Sequence, residues 1–202
     1  MVLQMTLKEV EQIAPAGYYI ALRIGFAFPT EEVNCLPRSW VKHYTKSRLM
    51  LFDPVMRWAY GNSGIARWSD FHDDDTHRII PMAAKFGLRF GVAVSFYDEN
   101  VDGHRSFANF FRSDRDFSDI EAKLLFAYLK RRHLELVPPS NLTTAELEAL
   151  TMFKDGLRLK QIAFNLSVTE GAVKQRLKNA KIKLNAQTST QAATLARQFK
   201  LI

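Results

Sequence analysis

The stretch from residue 142 to 202 constrains the chain most, because its apolar residues recur only at helical spacing and its helix ends can be read one by one. Thr143 with Glu146 three residues later has the pattern of a capping box, and Gly156 stands where a helix closes on a left-handed residue. LRLKQIAFNL (157–166) reads as a short second helix and SVT as a tight turn. EGAVKQRLKNAKIKL (170–184) is a longer helix capped by Thr169, or by Ser167 with Glu170, and TSTQAATLARQFKLI supplies a fourth. In the third of these, Val173, Leu177, Ala180 and Leu184 fall at i, i+4, i+7 and i+11, so they share a face and should pack on Leu150, Ile162 and Leu166. Lys174, Gln175, Lys178 and Lys181 then project from the other side. A short helix, a tight turn and a longer basic helix have the shape of a DNA-reading helix-turn-helix. Thr169, Lys174, Gln175 and Lys178 stand toward the groove, with Lys and Gln suited to base edges, while Lys181, Lys183 and Arg158 are suited to phosphates.

Charge supports a polyanionic partner. Of the 202 residues, 28 are Lys or Arg and 21 are Asp or Glu; residues 141–202 hold 10 and 4 of these, leaving 18 and 17 for residues 1–140. The first part therefore carries +1 and the last third +6, which suits a neutral module joined to one that meets nucleic acid. A single cysteine, Cys35, excludes an internal disulfide and a cysteine metal cluster, and no run approaches the roughly 18 apolar residues of a membrane span. A cytoplasmic protein without membrane contact is expected. FHDDDTH (71–77) carries metal-ligand residue types but reads as a solvated loop leading into a helix N-terminus, where acids are favourable. No phosphate-binding glycine loop or hydrolase motif is present, so neither an enzyme nor a metal or other cofactor is expected.

The first 136 residues alternate between helical and strand periods. Thr6 with Glu9 caps a short helix that Pro15 stops. In YYIALRIGFAF (18–28) large residues at 18, 20, 22, 24, 26 and 28 face one way, and Tyr19, Ala21, Arg23, Gly25 and Ala27 face the other, leaving room on that side. A helix begins at Pro37, GIARW (64–68) is a short strand, and THRIIPMAAKFG is helical with Pro81 marking a late start or a kink. RFGVAVSFY (89–97) and RSFANFFR (105–112) form an antiparallel hairpin across DENVDG. A long helix over 118–136 presents Ile120, Leu124, Ala127, Tyr128 and Leu134 as its apolar face. The expectation is an α+β domain over 1–136 with its antiparallel sheet flanked by helices in an α/β/α sandwich, a linker at 137–141 containing Pro138 and Pro139, and an all-α four-helix domain over 142–202.

The last of these resembles the helix-turn-helix of LuxR-type transcription regulators over about 60 residues, at Leu142, Thr143, Glu146, Leu150, Gly156, Ile162, Ala163, Leu166, Val168, Val173, Leu177, Asn179, Ala180, Lys183, Leu184, Ala186, Gln191 and Ala192. Ala145 stands where an Arg is usual, and Gln175-Arg176 replaces a common aromatic-His pair. SWVKHYTKSRLMLFDPVMRWAYGNSGIARW (39–68) resembles the acyl-homoserine-lactone-binding domain of the quorum-sensing branch of that family. There a Trp, a Tyr four later, an Asp-Pro nine beyond it and a Trp fifteen past the Asp line the signal pocket; Trp40, Tyr44, Asp53-Pro54 and Trp68 reproduce these intervals. FGLRFG, with Gly87 and Gly91, matches the strand that follows.

The resemblance implies that Asp53 accepts the ligand amide N–H, that the Trp40 indole donates to the lactone carbonyl, and that Tyr44 and Trp68 wall the ligand. Read without it, the three aromatics are core residues and Asp53 is a helix N-cap. The family usually has a Tyr four positions before the first Trp, and here that position is Leu36. Either another group, such as Ser106 or Asn109 on the hairpin, takes over the acyl carbonyl, or the ligand differs in its acyl part, or signal binding is lost altogether. Ala21 and Gly25 on the small face of the first strand offer space for an acyl chain, though a helix packed closely there explains them equally well. The implied partners are an N-acyl-homoserine lactone as effector, a two-fold promoter site, and a second copy of the chain, since paired half-sites mirror paired subunits; RNA polymerase is open to such a regulator as a further contact. The alternative is a LuxR-type regulator whose first domain answers another small molecule or a protein.

Overall fold

A computed structural model describes residues 5–25, 28–98 and 103–202, and the chain divides into two compact units, residues 1–136 and 137–202. In the first, α1 (Leu7–Ile13) opens on a complete capping box between Thr6 and Glu9. β1 (Gly17–Ile24) and β2 (Pro29–Asn34) follow, then α2 (Arg38–Lys46), α3 (Pro54–Gly61), β3 (Gly64–Arg67), α4 (Ile79–Ala84), β4 (Phe90–Tyr97), β5 (Arg105–Arg112) and α5 (Asp119–Glu135). The five strands form one antiparallel sheet in the order β2-β1-β5-β4-β3. α5 packs on one face against Tyr18, Ile20, Val92 and Phe110, while α2, α3 and α4 cover the other. This is the expected α+β arrangement.

Three local expectations change. First, the strand expected over 18–28 ends at Ile24; Phe26 and Ala27 lie outside the described residues, and the chain returns as β2, an edge strand beginning on Pro29. PTEEVN carries two acids and little apolar signal because an edge strand needs neither face fully buried. Second, the alternation in β1 breaks. Ala21 pairs with Phe107 and Ile24 with Arg105, so three steps on β1 oppose two on β5, and Arg23 takes a left-handed φ of 48°. This bulge inverts the faces beyond it. Ile24, expected beside Tyr18, Ile20 and Leu22, joins Tyr19 and Ala21, and Arg23 crosses to the α5 side.

Third, α5 buries Ala122, Leu125, Tyr128, Leu129 and His133, whereas Ile120, Leu124 and Leu134 of the expected face are 72%, 45% and 50% exposed. Both stripes have helical spacing, and only contact with the sheet selects between them. Pro81 proves compatible with a helix because α4 starts late, placing it in the first turn, where its missing N–H costs no hydrogen bond. The tip of the β4–β5 hairpin, residues 99–102, lies outside the described residues.

The second unit contains α6 (Thr144–Lys154), α7 (Leu159–Asn165), α8 (Glu170–Lys183) and α9 (Ser189–Gln198). Thr143 and Glu146 complete a capping box, and Gly156 has φ 86° just past the end of α6. Val173, Leu177, Ala180 and Leu184 are buried in one cluster with Leu150 and Ile162, so the apolar stripe faces inward as its spacing predicts. No helix among the described residues is long and apolar enough to cross a membrane.

Candidate functional site

Between the sheet and α2–α3 lies a cavity of about 350 Å³, within the size range of small-molecule sites. Its walls follow from strand period. Tyr19, Ala21 and Ile24 reach it from β1 and Phe107, Asn109 and Phe111 from β5, while Trp40, Tyr44, Met56 and Tyr60 close it from the helices. Leu36, Asp53 and Trp68 also line it, and Glu32 and Asn34 of β2 add polar groups at its edge. The space exists partly because β4 contributes small residues opposite β5: Gly91 pairs with Phe111 and Ala93 with Asn109. A Cβ on Gly91 would stand 2.5 Å from the Trp68 ring, so glycine is what lets that indole lie flat on the strand and meet Phe111 edge-on at 4.7 Å.

The polar centre is Asp53. Its Oδ1 accepts the backbone N–H groups of Val55 and Met56 at 2.9 and 3.3 Å, capping α3 with Pro54 in the first turn, and its Oδ2 accepts the Tyr44 hydroxyl at 2.8 Å. The two readings of Asp53, cap and cavity residue, therefore both describe its position. Burial raises the Asp53 carboxyl above its ordinary pKa against the hydrogen bonds that favour the ion. Burial, and then the Asp53 charge, push the Tyr44 phenol well above its ordinary value, so it stays a donor. Trp40 packs on Tyr44 with ring centroids 5.4 Å apart and on Phe86 at 5.5 Å. Two buried polar atoms beside the cavity have no hydrogen-bond partner among the described residues: Nε1 of Trp68 and Oδ1 of Asn109.

Of the residues expected at a ligand site, Leu36, Trp40, Tyr44, Asp53, Trp68, Ala21 and Asn109 line this one cavity. Ser106 does not. As the neighbour of Phe107 on a strand it points to the opposite face, where its Oγ accepts the Arg23 backbone N–H at 2.8 Å and sits 2.7 Å from His133 Nδ1. His133 Nε2 lies 3.0 Å from Asp98, so Ser106, His133 and Asp98 stand in a hydrolase-like row. Ser106 and His133 are both 0% exposed, however, and a sealed hydroxyl has no access to substrate. The row anchors the β1 bulge to α5. Tyr19, Met56, Tyr60, Phe107 and Phe111 were not expected in the wall; the alternation Phe107, Asn109, Phe111 was the available signal for the last two. In FHDDDTH, Asp75 accepts the Ile79 and Ile80 amides at 2.8 Å, the helix-terminus role its position suggested.

On the second unit α7 and α8 are joined by residues 166–169, and Thr169 caps α8 by accepting from the Ala172 amide at 3.2 Å. Lys174, Gln175 and Lys178 are exposed on one side of α8, and Gln175 donates to Asn179 at 2.8 Å. Arg158 is exposed at the N-terminus of α7. Lys181 is half-buried, its ammonium 3.4 Å from the Gln187 carbonyl. Lys183 is not free for a phosphate. It donates to both carboxylate oxygens of the buried Glu146 at 2.9 Å and ties α8 to α6.

Comparison with known proteins finds a family domain in each unit. Residues 30–135 match the model of the autoinducer binding domain, and residues 140–196 match that of bacterial regulatory proteins of the luxR family. The chain belongs to the LuxR-type quorum-sensing transcription regulators. Among such regulators it is 28% identical to the regulatory protein SdiA of Escherichia coli, over 96% of this chain and 87% of SdiA. It is 26% identical, with the same coverage of each chain, to the quorum-sensing regulator RhlR of Pseudomonas aeruginosa. A crystal structure of Escherichia coli SdiA superposes with a TM-score of 0.48 at 25% identity, covering 99% of this chain and 93% of that one. For a LuxR-type regulator the two surfaces divide the work: an autoinducer-binding first unit, and a helix-turn-helix in the second.

Proposed function

We propose that this regulator binds an N-acyl-homoserine lactone in the cavity between the sheet and α2–α3, and in response controls binding of a dimer to a two-fold-symmetric promoter site. The observation that carries the reading is the meeting of Trp40, Tyr44, Asp53 and Trp68 in the wall of one partly open, mostly apolar cavity. An acyl-homoserine lactone has one amide donor, several carbonyl acceptors and an apolar tail. Asp53 supplies a buried acceptor for the donor, the indoles of Trp40 and Trp68 supply donors for carbonyls, and Ala21, Phe107 and Ile24 supply an apolar end. Because the Asp53 carboxylate already accepts from Tyr44 and two amides, a ligand N–H adds a further partner to an ion that burial disfavours. Ser106 plays no part in this reading, and Asn109 takes the polar duty left by Leu36.

The exposed Ile120 and Leu124, one turn apart on α5, support a second copy as partner, since neighbouring apolar residues on one helix face gain by being covered. On the second unit, Thr169, Lys174, Gln175 and Lys178 form the reading edge, and Arg158 and the half-buried Lys181 flank it toward phosphates. The test is native mass spectrometry of the protein expressed with a panel of acyl-homoserine lactones. One lactone retained per chain is the expected result. Failure to retain any would refute the lactone reading and favour a different effector.

A further inference from the structure

The Asn109 carboxamide sits at the waist of the cavity. Phe111, the next inward residue on β5, belongs to the cluster of Trp40, Trp68, Leu36 and Tyr44 beside Asp53. Phe107, the inward residue on its other side, belongs to a separate cluster with Ala21, Ala59 and Ile24. Inward residues on a strand are spaced by about 7 Å, so a ligand whose head lies at Asp53 and whose tail reaches Phe107 passes Asn109 within the first few atoms of its chain. Asn109 is 8% exposed. Its Nδ2 donates only to the Met56 sulfur, at 3.9 Å, and its Oδ1 is buried with no partner among the described residues. Turning the amide over would bring its oxygen against that sulfur, so the geometry keeps an acceptor at the unpaired position. A buried acceptor without a donor is costly, and a ligand that brings one recovers that cost.

We propose that Asn109 is the specificity residue of the cavity, and that it selects an acyl chain bearing a hydroxyl group near its carbonyl. This rests on the lactone reading and deepens it. The hydroxyl hydrogen is donated to Asn109 Oδ1, while Nδ2, fixed in the same rigid amide plane, stays with the Met56 sulfur. A keto oxygen at the same carbon brings a second acceptor against Oδ1, and an unsubstituted chain leaves the oxygen unpaired. The orphan Nε1–H of Trp68 is satisfied by any ligand carbonyl and therefore does not discriminate. A site built around a hydrogen bond to a ligand hydroxyl rejects analogues lacking it more strongly than an apolar pocket rejects an added group.

The experiment measures stabilisation and affinity of the full chain with N-(3-hydroxyoctanoyl)-, N-(3-oxooctanoyl)- and N-octanoyl-homoserine lactone, for the wild type and for Asn109→Leu. The expected result is binding of the hydroxylated lactone about tenfold or more tighter than either analogue, with the preference lost in Asn109→Leu while the octanoyl compound still binds. Binding of all three without hydroxyl preference overturns this inference and leaves the lactone reading intact. A preference that survives in Asn109→Leu also overturns it. Failure of all three to bind the wild type refutes the lactone reading itself, and this inference with it. Asn109→Ala provides the same comparison should the leucine variant fail to fold, and the wild-type ratio stands without either.

Discussion

Replacing Asp53 separates two roles that one carboxylate performs. Asp53→Ala removes the cap of α3, worth about 1 kcal/mol, and leaves the half-buried Tyr44 hydroxyl without its acceptor, which costs a further 1–3 kcal/mol or so. The sum is about 2–4 kcal/mol. At roughly 4 °C per kcal/mol for a domain of this size, the melting temperature should fall by roughly 8–16 °C. Alanine is thus a poor test of ligand contact, because it disturbs the fold. Asp53→Asn keeps an oxygen for the Val55 and Met56 amides and turns its amino group toward the Tyr44 oxygen, so its stability at neutral pH should be within about 1 kcal/mol of wild type or above it.

The pH dependence has a definite sign. Burial raises the Asp53 pKa in the folded state, so the folded protein binds the proton more tightly than the unfolded chain does, and wild-type stability from this group is fullest below the ordinary aspartate value of 3.8 and is lost as pH rises through the raised value. The asparagine variant has no such loss, and its stability relative to wild type should improve as pH rises from about 3.8 upward. Thermal melts of the three proteins across that range check both statements. An alanine variant melting within 2 °C or so of wild type, or an asparagine variant falling as far as alanine, would refute the cap-and-clamp reasoning. On the proposed function neither variant answers lactone, and full sensitivity in Asp53→Asn would remove Asp53 from the site.

Gly91→Ala should drive the Trp68 ring from the strand and reduce the cavity, weakening lactone binding by about tenfold or more while near-ultraviolet circular dichroism reports the displaced indole; unchanged affinity would show that the ring does not bound the ligand. Lys183→Ala strands the buried Glu146 carboxylate and should cost about 2–3 kcal/mol in thermal unfolding, moderated by the partial exposure of the Lys183 side chain. Lys178→Ala should leave stability unchanged and lower the slope of log affinity against log salt in operator binding by about 1 if the ammonium meets a phosphate; an identical slope would assign it elsewhere.

The second unit was legible almost residue by residue, because its helices are short-range objects. Caps at Thr143 and Thr169, the left-handed Gly156 and the stripe from Val173 to Leu184 depend on neighbours within a few positions, and the structure keeps all of them. The intervals from Trp40 to Trp68 likewise survive as a shared cavity wall, since their turns are fixed locally by Asp53-Pro54 and Pro37. What the sequence could not assign were choices that only distant partners make. α5 carries two apolar stripes of equal period, and the sheet takes Leu125 and Leu129 over Ile120 and Leu124. Ser106 and Asn109 are both polar residues on one strand, and pleating sends one to His133 and the other to the cavity. Lys183 looked like its exposed neighbours until Glu146, 37 residues earlier, took its charge. The bulge at Arg23 reverses which residues of β1 beyond it face the ligand space because β5, Asp98 and the buried His133 hold the guanidinium on the far side. Local pattern determined which elements form; burial against non-local partners decided which of their faces do the binding.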